Sequence, residues 1–266
     1  MRRDVARGLR QVIRVACIGN SHLAAFKEAR EEIEGRCPDV RLQFFGLPNP
    51  VFFRSKRLDG TALKTEHPLD DSLDQFIDPD APHALPLDRF DVVLLTSHSF
   101  YLSHFFKGMA GLDLLGYPQS DEKTPLISLP CALDMIRDGA QHYAARIRRF
   151  FPSLPNLVVV QAPFPSSEAI QISSDLAQIS THPACEILFD SYQRVLAATC
   201  INEGLHFFPA PDEVLERPFF TKAEYARAKW LADPVVATLS DHIHMNTRYA
   251  ADVFAVFHAD VLIASN

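Results

Sequence analysis

Val12-Ile13-Arg14-Val15-Ala16-Cys17-Ile18-Gly19-Asn20-Ser21-His22 is an apolar run of strand length that breaks at a glycine and turns polar. The residues that follow, 23–34, have the composition of a helix, with Gly35 as its expected stop, because glycine readily takes the left-handed conformation that closes a helix. Strand, tight turn and helix in that order form the first unit of an α/β fold. Further runs rich in Val, Ile, Leu and Phe, at 41–45, 91–96, 157–161 and 205–208, read as strands. Helices are predicted for 132–151, with Pro152 beyond, and for 186–203, with Gly204 beyond. A last helix is expected from about Asn246, where Tyr249, Val253, Phe254, Phe257 and Val261 make an apolar stripe. The alternation implies a mostly parallel central sheet covered by helices on both faces.

A chain of 266 residues, 47% hydrophobic, can bury one large core. One domain over residues 1–266 is expected, with an irregular insertion around 47–89 that is rich in Pro and Asp. Against 26 Lys and Arg stand 33 Asp and Glu, a formal net charge of -7. That balance repels phosphate backbones and gives no long-range pull toward anionic lipid, so no nucleic-acid partner is expected. The basic clusters Arg54, Lys56, Arg57 and Arg146, Arg148, Arg149 read as solvated faces. Five scattered cysteines, Cys17, Cys37, Cys131, Cys185 and Cys200, form no C-x-x-C pair. They point to a reduced, cytoplasmic setting rather than a zinc or redox centre, with Cys17 as a packed thiol. No apolar stretch is long enough to span a bilayer, and no repeat or heptad array is present. Trp230 and Phe207-Phe208 are read as core.

Chemistry is sought where strands end. Gly19-Asn20-Ser21-His22, Ser97-His98-Ser99 and Ala162-Pro163-Phe164-Pro165 each follow a predicted strand, and in open α/β sheets the carboxyl ends of strands face the ligand crevice. A serine between strand and helix has an exposed hydroxyl and an unpaired N–H near the positive end of the helix dipole. Both properties suit a nucleophile whose attack creates an oxyanion. Taken alone, Asn20 or Ser21 is as readily a helix cap. The turn has neither the glycines of a phosphate loop nor the G-x-S-x-G of the α/β-hydrolase elbow.

A second signal is Ser240-Asp241-His242-Ile243-His244-Met245-Asn246. A hydroxyl nucleophile needs a base, and the base an orienting carboxylate; Asp241 and His244, three positions apart, can supply them, though either Asp241 or Asn246 also suits a helix cap. His242 and His244 with Asp241 are alternatively metal ligands of zinc or manganese type. His98 and His104 follow the third strand, where lone histidines are usually solvated.

Together, a G-x-S turn closing the first strand and an Asp-x-x-His before the last helix resemble the SGNH, or GDSL-like, serine hydrolases. The resemblance implies a flavodoxin-like three-layer α/β/α sandwich with a mostly parallel central sheet. It places Gly19, Asn20 and Ser21 in the family's first block, with Asn20 where the family generally has Asp, and Asp241 and His244 in its last. It implies oxyanion donors at the Ser21 N–H and at Gly46. The family's third donor, an asparagine, falls on Phe100 in this chain, which leaves Ser97, His98 or Ser99 as substitutes.

The expected function is therefore a serine esterase with catalytic Ser21, Asp241 and His244. It would hydrolyse or transfer an acyl group, such as acetyl, on a carbohydrate or lipid ester through an acyl-serine, without cofactor or metal. Two other readings stand beside it. One is a catalytically weak or inactive SGNH-like domain that binds a glycan or protein, motivated by the missing asparagine. The other is a metal-dependent hydrolase using His242 and His244. Oligomeric state is not encoded in these patterns.

Overall fold

The computed structural model describes residues 12–47, 52, 56–58, 61–64, 77–79, 84–96, 100–102, 105, 111–119, 122–231 and 236–264. Each of the five runs read as strands forms one: β1 (Ile13–Gly19), β2 (Val40–Gly46), β3 (Val92–Thr96), β4 (Leu157–Val160) and β5 (His206–Phe208). They make a single five-stranded sheet in the order 2-1-3-4-5, and every neighbouring pair is parallel. This is the flavodoxin-like order. Val15, Cys17 and Ile18 of β1 are fully buried, as are Phe44 and Phe45 of β2 and Val93 and Leu95 of β3, as expected of a parallel sheet covered on both faces.

The helices α1 (Leu23–Glu28), α2 (Arg30–Arg36), α3 (Leu129–Phe150), α4 (Ser174–Thr181), α5 (Cys185–Asn202), α6 (Leu239–Ile243) and α7 (Thr247–Phe257) surround the sheet. One layer joins α1 and α2 to α7, and the other joins α3 to α5. Right-handed crossovers dictate this division, because β1 to β2 moves one way along the sheet and β3 to β5 the other. The sandwich of three layers expected from the resemblance is thus the observed architecture.

Several boundaries differ from expectation for local reasons. The helix after Ser21 is interrupted at Ala29 (φ −83°, ψ 2°) and resumes as α2, which runs through Gly35 to Arg36. Gly35 is not the stop, since the Cys37 N–H still reaches Ile33 O at 2.8 Å. By contrast, Gly204 takes φ +68° just beyond α5 and does close its helix. α3 begins earlier than its apolar pattern, because Ser128 caps it through the Cys131 N–H and proline fits its first turn. α4, three of whose eight residues are serine or threonine, has no strong periodicity and is not among the predicted helices.

Within the segment read as irregular, Lys56–Leu58, Ala62–Lys64 and Ala84–Pro86 form a three-stranded antiparallel sheet. Ile77 bridges Phe45 on the outer edge of β2. Beside it the Asp78 carboxylate accepts from the Phe44 N–H at 2.7 Å and pairs with Arg30, so this edge of the sheet is partly sealed. Arg146 and Arg149 are exposed, as solvated residues of α3; the side chains of Arg54, Lys56 and Arg57 lie outside the described residues. Phe208 is buried and Phe207 packs against the core, whereas Trp230 is 47% exposed and not a core residue. All five cysteines are free thiols, and burial pushes that of Cys17 far up. Among the described residues no helix is long and apolar enough to cross a membrane.

Candidate active site

The direction of chain travel along the sheet reverses between β1 and β3, and in open α/β sheets the ligand crevice lies at the carboxyl ends of the strands at such a switch point. The turn Gly19-Asn20-Ser21-His22 occupies this switch point. Gly19 is required there, since a Cβ on it would lie 2.6 Å from both the carbonyl oxygen and Oγ1 of Thr96 on β3. Thr96 is itself fixed by its hydroxyl donating to Ile18 O at 3.1 Å.

After Gly19 the chain turns tightly: Leu23 N–H donates to Asn20 O at 2.9 Å and Ala24 N–H to Ser21 O at 3.3 Å. Asn20 is buried and works in two directions. Its side-chain oxygen accepts from the His22 N–H at 3.2 Å, an Asx-turn, and its amide donates to the hydroxyl of Tyr101. An aspartate could make the first bond but could not donate in the second. Asn20 is therefore integral to the turn in its own right. Among the described residues nothing accepts from the Ser21 N–H, which leaves it open toward the crevice.

Across the crevice, Ser21 Oγ lies 2.9 Å from His244 Nε2, a contact between residues 223 positions apart. His244 has extended backbone (φ −80°, ψ 133°) in the link between α6 and α7. Its Nδ1 lies 2.9 Å from Ser240 O and 3.1 Å from Ser240 Oγ. A backbone carbonyl can only accept, so this contact puts the proton on Nδ1 and leaves Nε2 free to accept from the serine. The imidazole is half-buried and its pKa is lowered. Burial is the main cause and repulsion by Arg227 adds to it, against the opposing effects of the Ser240 carbonyl and Asp241. The ring stands 4.7 Å from that of His22, which in turn faces Tyr101.

Asp241 takes a different place from the one a carboxylate–imidazole pair requires. Its carboxylate accepts from the Thr238 N–H at 2.9 Å and the Thr238 hydroxyl at 2.7 Å, closing the first turn of α6. These bonds hold its pKa low. Asp241 and His244 share no hydrogen bond or ion pair; the five-residue α6 begins just before Asp241, and its cap outcompetes the imidazole for the carboxylate. Asn246 caps α7 through the Tyr249 N–H at 3.1 Å.

No family description matches this chain, nor does any curated protein. Among solved structures, the extracellular lipase of Streptomyces rimosus aligns over 96% of this chain and 100% of its own, at 13% identity and a TM-score of 0.41.

The remaining candidates are distributed as follows. His242 is buried beneath the link, with Nδ1 2.8 Å from Ser166 Oγ and its carbonyl accepting from the Ser166 N–H at 2.8 Å. It ties the link to the loop after β4 rather than facing His244's partner. Among the described residues no group of three or more His, Cys, Asp or Glu side chains is placed to hold a metal. Gly46 ends β2 level with Gly19. Because the Leu47 N–H donates to Gly19 O at 3.0 Å, the alternation of the ladder turns the Gly46 N–H to the other edge, where Ile77 bridges Phe45. Ser97, His98, Ser99 and His104 lie outside the described residues. Phe100, at the position of the family's asparagine, is buried with φ 57° and accepts from the Tyr192 hydroxyl at 2.8 Å.

Sequence reasoning did not single out Tyr101, Ser240 or Arg227. Tyr101 follows the strand-end cluster it belongs to, and Ser240 adjoins the Asp-x-x-His pattern; both were within reach of a search one residue wider. Arg227 becomes visible only through pairing: the Ala226–Met245 bridge sets it opposite His244, to whose carbonyl its N–H donates at 2.8 Å.

Proposed function

We propose that this protein is a serine hydrolase acting on ester bonds through an acyl-serine. The observation that carries the reading is the 2.9 Å contact of Ser21 Oγ with His244 Nε2, together with an Nδ1 held by an acceptor. Ser21 Oγ attacks the ester carbonyl as its proton passes to His244 Nε2. The Ser21 N–H receives the oxyanion, and the segment 97–99 is our candidate for further donors. The Ser240 carbonyl keeps the Nδ1 proton of the imidazolium bound, the part we had expected of Asp241; Asp241 acts on the base only through its charge and through the turn it closes. The imidazolium returns its proton to the leaving alkoxide, which departs and leaves acyl-Ser21. Water, or the hydroxyl of an acceptor such as a sugar, then gives a proton to His244 as it attacks the acyl carbon, and His244 returns that proton to Ser21 Oγ as the acyl–Oγ bond breaks, restoring Ser21. Carbohydrate and lipid esters are the substrate classes we favour.

A fluorophosphonate probe tests this directly. Labelling of the native protein but not of Ser21→Ala, with p-nitrophenyl acetate turnover lost in the variant, supports the mechanism. No labelling, together with turnover absent or indifferent to Ser21→Ala, would overturn it, absent turnover favouring a binding domain and indifferent turnover another hydrolytic group.

A further inference from the structure

The charge on Arg227 is unspent. Along the same stretch of chain, Arg217 pairs with Asp190, Lys222 donates to Glu213 O and Lys229 pairs with Glu168. Arg248, close by on α7, reaches Asp252 and stacks on Tyr225. The guanidinium of Arg227, in an exposed residue, makes no ion pair or hydrogen bond among the described residues, and Asp241 lies beyond ion-pair distance.

Position gives this arginine its interest. The bridge between Ala226 and Met245 is antiparallel, held by Arg227 N–H to His244 O and Asn246 N–H to Tyr225 O, both at 2.8 Å. Opposed residues of such a pair lean to the same face, which brings Arg227 out beside the imidazole that meets Ser21. Its charge is felt there, by His244 and by Asp241 alike. A cation beside a general base weakens the base, and the attraction of Asp241, short of an ion pair, is what the protein offers it in return, so its use is sought outside the protein.

We infer that Arg227 is an anion anchor at the rim of the Ser21 crevice, selecting esters that carry a carboxylate a few bonds from the scissile carbonyl. Guanidinium suits that task, since its planar fork pairs with both oxygens of a carboxylate. This rests on the esterase reading for the reacting bond and on Arg227 alone for the charge preference.

The test compares two p-nitrophenyl esters of equal chain length, the monoglutarate and the valerate, on the native protein, Arg227→Gln, Arg227→Lys and, as a control cation, Lys229→Gln. The ratio of kcat/KM for acidic over neutral ester is expected to fall about tenfold in Arg227→Gln, mostly through KM, and less in Arg227→Lys. It should fall with added salt in the native protein and hold in Lys229→Gln. An unchanged ratio in Arg227→Gln overturns the anchor and leaves the esterase intact. Binding of free glutarate, followed by the His244 ring resonances, separates the two ideas if neither ester turns over: Arg227-dependent binding keeps the anchor and removes the esterase, and no such binding removes both.

Discussion

Ser21 and His244 meet at one point but are held by different kinds of structure. Ser21 stands two residues beyond the end of β1, a strand paired with β2 over its length and with β3 from Val15 onward, and buried throughout its second half. His244 sits in a short extended link held by separate bonds: its own carbonyl to Arg227, Asn246 to Tyr225 and Glu224, and His242 to Ser166. A ladder spreads its load over many backbone bonds, whereas each bond of the link carries a share that nothing else replaces. The place of Ser21 is therefore a property of the fold, and that of His244 a property of a few side chains. Changes around β1 should act mainly on stability, and changes around the link mainly on activity.

The largest effect expected is the loss of the reacting groups themselves: Ser21→Ala or His244→Ala should lower kcat by about 10⁴-fold or more with unfolding midpoints nearly unchanged. Gly19→Ala sharpens the sheet side of the comparison. Its methyl group meets Thr96 at 2.6 Å, and a loss of about 1–3 kcal/mol in urea unfolding is expected. Asn246→Ala probes the link; removing the cap of α7 and the bond to Glu224 should cost about 1 kcal/mol and lower kcat about tenfold or more as His244 shifts. An Asn246 variant that is destabilised yet fully active would break the distinction.

Asp241→Asn should have the smallest effect. Where a carboxylate orients the base directly its loss costs about 10⁴-fold in kcat, and here less than about tenfold is expected, because Ser240 holds Nδ1. The variant also removes a negative neighbour that raises the His244 pKa, so the acid limb of kcat/KM should move to lower pH. In the native protein that limb is expected below the ordinary imidazole value of about 6.5, since burial lowers the His244 pKa. Between the two values the unfolded chain binds the extra proton, so His244 makes stability rise with pH in that window. A limb above 6.5 would contradict the arrangement.

Much of this was legible in the sequence. All five sheet strands were, because burial on both faces leaves continuous apolar runs that few other structures require. So was the approach of His244 to Ser21, through the turn that ends one strand and the histidine that precedes one helix. The role of Asp241 was not legible, since D-x-x-H describes a spacing, while the partner of a carboxylate depends on whether a helix begins beside it. Thr238 lies outside the pattern and wins the carboxylate through a hydroxyl and an N–H at once. The direction of the Gly46 N–H was not legible either, because the alternation of a parallel ladder is set by register, which two glycines alone do not specify. Trp230 misled through composition: an isolated aromatic says nothing of which side of a short turn it takes.

The separation of 223 positions between Ser21 and His244 has a consequence for how the molecule matures. A contact closing so large a loop is expected to form late, after the sheet has been laid down and the last helix has docked. Until then Ser21 has its turn but no base. A probe that reacts only with the assembled pair would thus report completion of folding at the far end of the chain, and local fraying of α7 would silence the serine long before the sheet melts.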